Sequence, residues 1–289
     1  MRRTMSYLIT AALALALLAG CGPAADQQPS DSGTAAPSQS ERAVPTPAST
    51  PEPTPEPTPE PTPTPLPWPV YEFGVPLEEG GPVEDDSFFD HTVFLGDSRT
   101  EGFQLFSGMK HGTFYWARGM SVLRADSEDY KVFEVDGEEL TLVGTLGKAS
   151  YDAVYIMIGI NELGIQPQSY HNGLASLVDK VLAAQPEAVV YLQLLPPLND
   201  AMCRTNGLSS YINNENLRNF NEVIRQVAEE KKVVLLNTAE VYTGEDGQLP
   251  AELASDGCHF AIGAYKRWAD YLRSHTIDRD RYFYSRENA

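Results

Sequence analysis

Five short apolar runs recur through the C-terminal two thirds of the chain: Thr92 to Leu95, Thr113 to Trp116, Ala153 to Ile158, Ala188 to Leu195 and Val233 to Leu236. Each is rich in Val, Ile, Leu or aromatic residues, as strands buried on both faces are. Between the runs, apolar residues recur at helical spacing. Leu174, Leu177, Val178, Val181 and Leu182 share one face, and Leu217, Phe220, Val223, Ile224 and Val227 share another. A last pattern, Ala261 to Leu272, turns Tyr265, Trp268, Ala269 and Leu272 inward. Alternation of strand and helix predicts an α/β fold, a parallel sheet with helices on both faces. Val132 to Val143 breaks the alternation, and Asp136-Gly137 within it predicts a hairpin turn.

The N-terminal third follows a different pattern. Arg2 and Arg3 precede an apolar run through Leu18, and Ala19-Gly20-Cys21 follows. This order predicts a signal peptide over residues 1–20, on a run too short to span a bilayer comfortably. Leu18 to Cys21 resembles a bacterial lipobox, which implies that Cys21 is lipidated. The chain is then expected to be exported and anchored by lipid to the bacterial cell membrane, with its folded part outside the cytoplasm. Residues 21–85 predict a disordered linker rich in Pro, Thr and Glu. Pro45 to Pro69 holds twelve of the 22 prolines, and proline at every second position favours extended polyproline II over helix or sheet. That tract reaches about 75 Å at about 3.1 Å per residue. Residues 86–289 are left as one folded domain, long enough for a full core.

A net charge of −19 argues against nucleic acid as a partner and against electrostatic docking on anionic lipid. Membrane association is therefore expected through the lipid on Cys21. Beyond it only Cys203 and Cys258 remain, without the spacing of a zinc site. A disulfide and two free thiols both fit an exported chain. Neither metal-ligand spacing, nor a Gly-rich phosphate loop, nor a nicotinamide or flavin fingerprint stands out, so no metal or cofactor is expected.

In open parallel sheets ligands gather at the carboxyl ends of the strands. Gly96-Asp97-Ser98 follows the first run, Ala117 to Ser121 the second, and Gly159-Ile160-Asn161-Glu162 the third. Asp256-Gly257-Cys258-His259 precedes the last helix. A serine at a strand-to-helix turn presents its hydroxyl and sets its own N–H at the positive end of the helix, so it can attack a carbonyl and help hold the oxyanion. It needs a base. His91 precedes the first strand, and His171 and His275 fall in helical stretches away from the strand ends. His111, in a loop after the first helix, stays open. His259 is at the right edge, with Asp256 three residues before it to fix its tautomer. The Asn161 amide can point at that oxyanion and the Gly119 N–H can approach it, although a turn role also fits each of them, Gly119 above all. Arg99 could meet an anionic group of a substrate, and Trp116 could stack on a sugar ring.

This set resembles the SGNH hydrolases, also called GDSL-type esterases and lipases. Gly96-Asp97-Ser98, Gly119, Gly159-Ile160-Asn161 and Asp256-Gly257-Cys258-His259 match their motifs in order, over roughly residues 90 to 275. The resemblance implies a flavodoxin-like three-layer sandwich whose central parallel sheet has about five strands. It implies Ser98 as nucleophile, His259 as base and Asp256 as orienting acid, with Ser98, Gly119 and Asn161 forming the oxyanion hole. Two positions depart from the family pattern: Arg99 stands where leucine is usual and Glu162 where aspartate is, and one extra methylene at Glu162 could move the loop that aims Asn161. The expected activity is a serine esterase removing short acyl groups, acetyl first, from cell-surface or environmental glycans. Nothing in the sequence is suited to gripping a long acyl chain. Lysophospholipase, thioesterase or acyltransferase chemistry on the same site is an alternative, as is a catalytically silent binding module. Oligomeric state is not legible.

Overall fold

The computed structural model describes residues 69–80 and 83–289. The expected signal peptide, the expected lipidation site Cys21 and the proline tract up to residue 68 lie outside them. Among the described residues the strands are β1 (Thr92–Gly96), β2 (Thr113–Trp116), β3 (Phe133–Val135), β4 (Glu138–Leu140), β5 (Ala153–Met157), β6 (Val189–Gln193) and β7 (Val234–Leu236). The α-helices are α1 (Ser98–Phe106), α2 (Leu142–Thr145), α3 (Pro167–Ala184), α4 (Asp200–Thr205), α5 (Asn214–Glu230), α6 (Tyr265–Ser274) and α7 (Arg279–Asn288).

Five strands form one parallel sheet in the order β2-β1-β5-β6-β7. Chain order reverses between β1 and β5, the crevice where doubly wound sheets bind ligands. Strands β1, β5, β6 and β7 are buried along their whole length, which accounts for their unbroken apolar runs. Side chains alternate between the two faces. Phe94, Tyr155 and Tyr191 stand in register on adjacent strands, with ring centroids 5.2 and 4.3 Å apart. Their face is closed by α1 and α6, where Phe103 meets Trp268 at 4.6 Å. The Trp268 indole donates to Gln193 Oε1 at 2.7 Å, so the one polar atom of that large buried ring is satisfied. Helices α3 and α5 pack together through stacked Tyr170 and Phe220. The fold is thus the three-layer α/β sandwich that the alternation implies. The insertion folds as the antiparallel hairpin β3–β4, turning through Asp136 and Gly137 at φ +53° and +79°.

The linker ends earlier than residue 85. Tyr71, Phe73 and Leu77 are buried in the domain. Pro76 bridges Leu235 in parallel, and Leu77 N donates to the Leu235 carbonyl at 2.8 Å. The Tyr71 hydroxyl donates to the Val75 carbonyl and accepts from Leu235 N, while Tyr71 N donates to Ser285 Oγ. This strap covers the open edge of β7. Proline-rich composition hid it, because three apolar side chains in a dozen residues form no periodic pattern. Its first residue, Pro69, accepts a hydrogen bond from Arg281 on α7. Helix α7 lies at the entering ends of the strands: Arg279 donates to the Glu187 carbonyl before β6, and Lys232, before β7, donates to the Arg286 and Ala289 carbonyls.

Candidate active site

Strand β1 ends in Gly96, and the chain turns at once into α1. Asp97 caps that helix, its carboxylate accepting from Arg99 N at 2.8 Å. Ser98 is the first residue of α1, so its N–H belongs to the first turn, whose amides have no partner within the helix. The hydroxyl is half-buried and 2.8 Å from His259 Nε2.

His259 sits on a tight loop that its neighbours fix. One Asp256 oxygen accepts from Cys258 N and His259 N at 2.8 and 2.7 Å. The other lies 2.7 Å from His259 Nδ1. A proton on Nδ1 therefore faces the carboxylate, and Nε2 is left as an acceptor toward Ser98. Burial alone would push the Asp256 carboxyl up. Hydrogen bonds from the His259 N–H, the His259 ring and the Cys258 N–H outweigh it and hold the group below the usual carboxylate range. Gly257 sits at φ +95°, and a Cβ there would lie 2.6 Å from Cys203 N, so the loop can lie this close to α4 only with glycine. Cys203 and Cys258 are both buried and both free thiols.

The loops after β2 and β5 flank Ser98, because those strands are the neighbours of β1. Gly119, at φ +75°, makes the turn from Ala117 to Met120. Asn161 ends up on the short 3-10 turn Ile160–Glu162, and its amide donates to the Met120 carbonyl at 2.9 Å. Glu162 is buried, and its carboxylate accepts from Val122 N. The longer side chain at this position thus ties the Gly119 loop to the Asn161 turn. Burial pushes the Glu162 carboxyl up to about 7, against the pull of that hydrogen bond. Burial likewise pushes the Asp97 carboxyl up to about 6, against Arg99.

Two expected substrate contacts lie elsewhere. Arg99 is wholly buried: its Nε donates to the Cys258 carbonyl at 3.0 Å, its Nη1 to the Pro196 carbonyl at 2.9 Å, and its guanidinium lies over Phe260. It faces the His259 loop from beneath and cannot meet a substrate anion. Trp116 is turned toward α1, where its indole donates to Gln104, and it does not line the cavity at Ser98. The other open histidine, His111, pairs with Asp90.

That cavity, about 520 Å³, lies between α1 and the chain from Ser255 to Tyr265. Leu105, Phe106 and Ile262 stand exposed on its walls, with Phe260 and Tyr265 deeper in. Glu101 and Arg118 form a two-pronged ion pair at its rim, both contacts 2.7 Å. An apolar wall beside the serine was not expected. Its only trace in the sequence is spacing: Ser98, Gly102, Leu105 and Phe106 fall on one helical face. A larger depression of about 680 Å³ lies away from Ser98, over Glu240, Tyr242 and α6. Among the described residues no group of three or more His, Cys, Asp or Glu is placed to hold a metal, and no helix is long and apolar enough to cross a membrane.

A model of the GDSL-like lipase/acylhydrolase family matches residues 94–267. No curated protein sequence shows significant similarity to the chain. Among solved structures, a Streptococcus pneumonia protein provisionally assigned as a platelet activating factor aligns at 21% identity and TM-score 0.51, covering 64% of this chain and 83% of its own. A GDSL-like lipase of Parabacteroides merdae aligns at 14% identity and TM-score 0.51, covering 70% of this chain and 99% of its own. At these identities the likeness is one of fold.

Proposed function

The chain belongs to the GDSL-like lipase/acylhydrolase family, and within it we propose a serine esterase acting on short acyl esters, O-acetyl groups of glycans first. The supporting observation is the contact series Ser98 Oγ, His259 Nε2, His259 Nδ1, Asp256 Oδ2, with steps of 2.8 and 2.7 Å. In this reading His259 takes the Ser98 proton as Oγ attacks the ester carbon. Asp256 holds the tautomer and stabilises the imidazolium. Ser98 N–H, Gly119 N–H and the Asn161 amide receive the oxyanion. The proton then passes to the departing alcohol, and water releases the acyl group by the same steps in reverse roles. A catalytically silent binding module would have no need for the serine, histidine and aspartate to keep hydrogen-bond contact. The lipid on Cys21 and residence outside the cytoplasm remain part of the proposal, resting on the N-terminal sequence alone.

The test is hydrolysis of a nitrophenyl ester series from acetyl to palmitoyl, together with covalent labelling by a fluorophosphonate. The expected result is labelling of Ser98, a rate that peaks at acetyl, and a fall of at least about 10³-fold in Ser98→Ala. A peak at long chains would replace the short-acyl reading with a lipid-directed one. An unlabelled serine at neutral pH would overturn the catalytic reading.

A further inference from the structure

The cavity beside Ser98 is one-sided. His259 and Ser98 are in its wall, whereas Asn161 and Gly119 are not. It runs along the flank of α1 from Ser98 toward Phe106. The donors for an oxyanion lie at its Ser98 end, at the helix N-terminus and in the loops after β2 and β5, from which Arg118 alone reaches the cavity rim. Proton transfer decides which half of an ester belongs here. When Ser98 Oγ bonds to the ester carbon, its proton goes to His259 Nε2 and the carbonyl oxygen becomes the oxyanion. As the carbon–oxygen bond to the alcohol breaks, the same Nε2–H must protonate the leaving oxygen, which therefore lies within about 3 Å of it. The chain beyond that oxygen continues on the His259 side, where the cavity opens. The acyl chain is the remaining substituent and points away.

Resting on the esterase reading, we infer that this cavity is the alcohol subsite and that its occupant is a sugar unit. Its walls combine an apolar surface with a polar rim. Leu105, Phe106 and Ile262 are 58%, 42% and 66% exposed, an arrangement that costs solvation unless a ligand covers them. Phe260 and Tyr265, each 3% exposed, close its floor. The Glu101–Arg118 pair and Ser255 stand at the edge with donors and acceptors. A pyranose has this same division, an apolar face of C–H groups and an equator of hydroxyls. The volume of about 520 Å³ falls within the range of small-molecule sites.

The experiment uses the full chain and two ester series. One keeps acetate and changes the alcohol, from methanol to benzyl alcohol to a methyl glucoside. The other keeps methanol and lengthens the acyl group from acetyl to octanoyl. Leu105→Gln and Ile262→Gln, both at exposed positions, are compared with the unaltered protein. The acetylated glucoside is expected to be the best acetate. Each variant should lower the ratio of kcat/KM for the glucoside to that for methyl acetate by about tenfold. If the variants instead shift the octanoyl-to-acetyl ratio, the cavity holds the acyl half and the inference is wrong. If benzyl acetate is the best acetate and its preference is lost in the variants, the alcohol subsite stands but the sugar assignment falls. If no ester in either series is cleaved and the fluorophosphonate does not label Ser98, the esterase reading falls and the subsite with it. Labelling with the wrong ratios brings down the subsite alone.

Discussion

Arg99 carries a full charge where water does not reach. Its Nε and Nη1 donate to the Cys258 and Pro196 carbonyls and its plane lies over Phe260, so it touches the residues on either side of His259. A side chain next to Ser98 therefore props the loop that bears His259. Lysine keeps the charge but offers a single nitrogen on a flexible stem in place of a planar fork, so it loses both the two-nitrogen geometry and the flat contact with Phe260. Arg99→Lys is expected to lower kcat by about tenfold with little change in KM, since Arg99 does not line the cavity. Thermal unfolding should show a loss of about 3 kcal/mol from the stranded buried partners. An unchanged kcat would dissociate Arg99 from the histidine. That Ser98, His259 and Asp256 come into contact was legible in the sequence because a strand-to-helix turn and a three-residue acid–histidine spacing are local. Arg99 was misread as a substrate contact because its partners are 97 and 159 residues away, and no local pattern encodes them. Trp116 was misread for the same reason: a strand end does not say which way the ring turns.

At the level of elements, the buried strands were legible almost to the residue, because a strand covered on both faces leaves an unbroken apolar run. The strap before β1 was not. Its hold on the domain comes from Tyr71, Phe73 and Leu77 filling sites on β7 and α7, with Tyr71 and Phe73 rings edge to face at 5.1 Å. A chain that begins at residue 86 would uncover those sites and the β7 edge. It is expected to unfold at a lower temperature and to aggregate more readily than one beginning at residue 69. Phe73→Ala in the full chain should cost about 3–4 kcal/mol. Equal melting temperatures for the two lengths would show that the strap is dispensable.

For the whole molecule, two buried carboxyls make the fold less stable as pH rises. The folded chain holds the Asp97 proton up to about pH 6 and the Glu162 proton up to about pH 7, whereas the ordinary values are 3.8 and 4.5. Unfolding releases those protons, so their contribution is complete below about pH 4 and is lost as pH rises through about 6 and 7. Asp256 acts in the opposite sense, its contribution being lost as pH falls below its ordinary value of 3.8. Melting temperature is therefore expected to decline between about pH 5 and 7, and Glu162→Gln should make that decline shallower. A slope identical in the variant would assign the effect to other groups.

The direction in which the strap runs has a consequence for access. The segment pairs in parallel with β7, and Pro69 lies beside α7, near the ends where the strands enter the sheet. Ser98 and His259 lie at the ends where the strands leave it. A matrix or label bonded at Pro69 would therefore grip the domain on the face opposite Ser98 and leave the cavity beside that serine open.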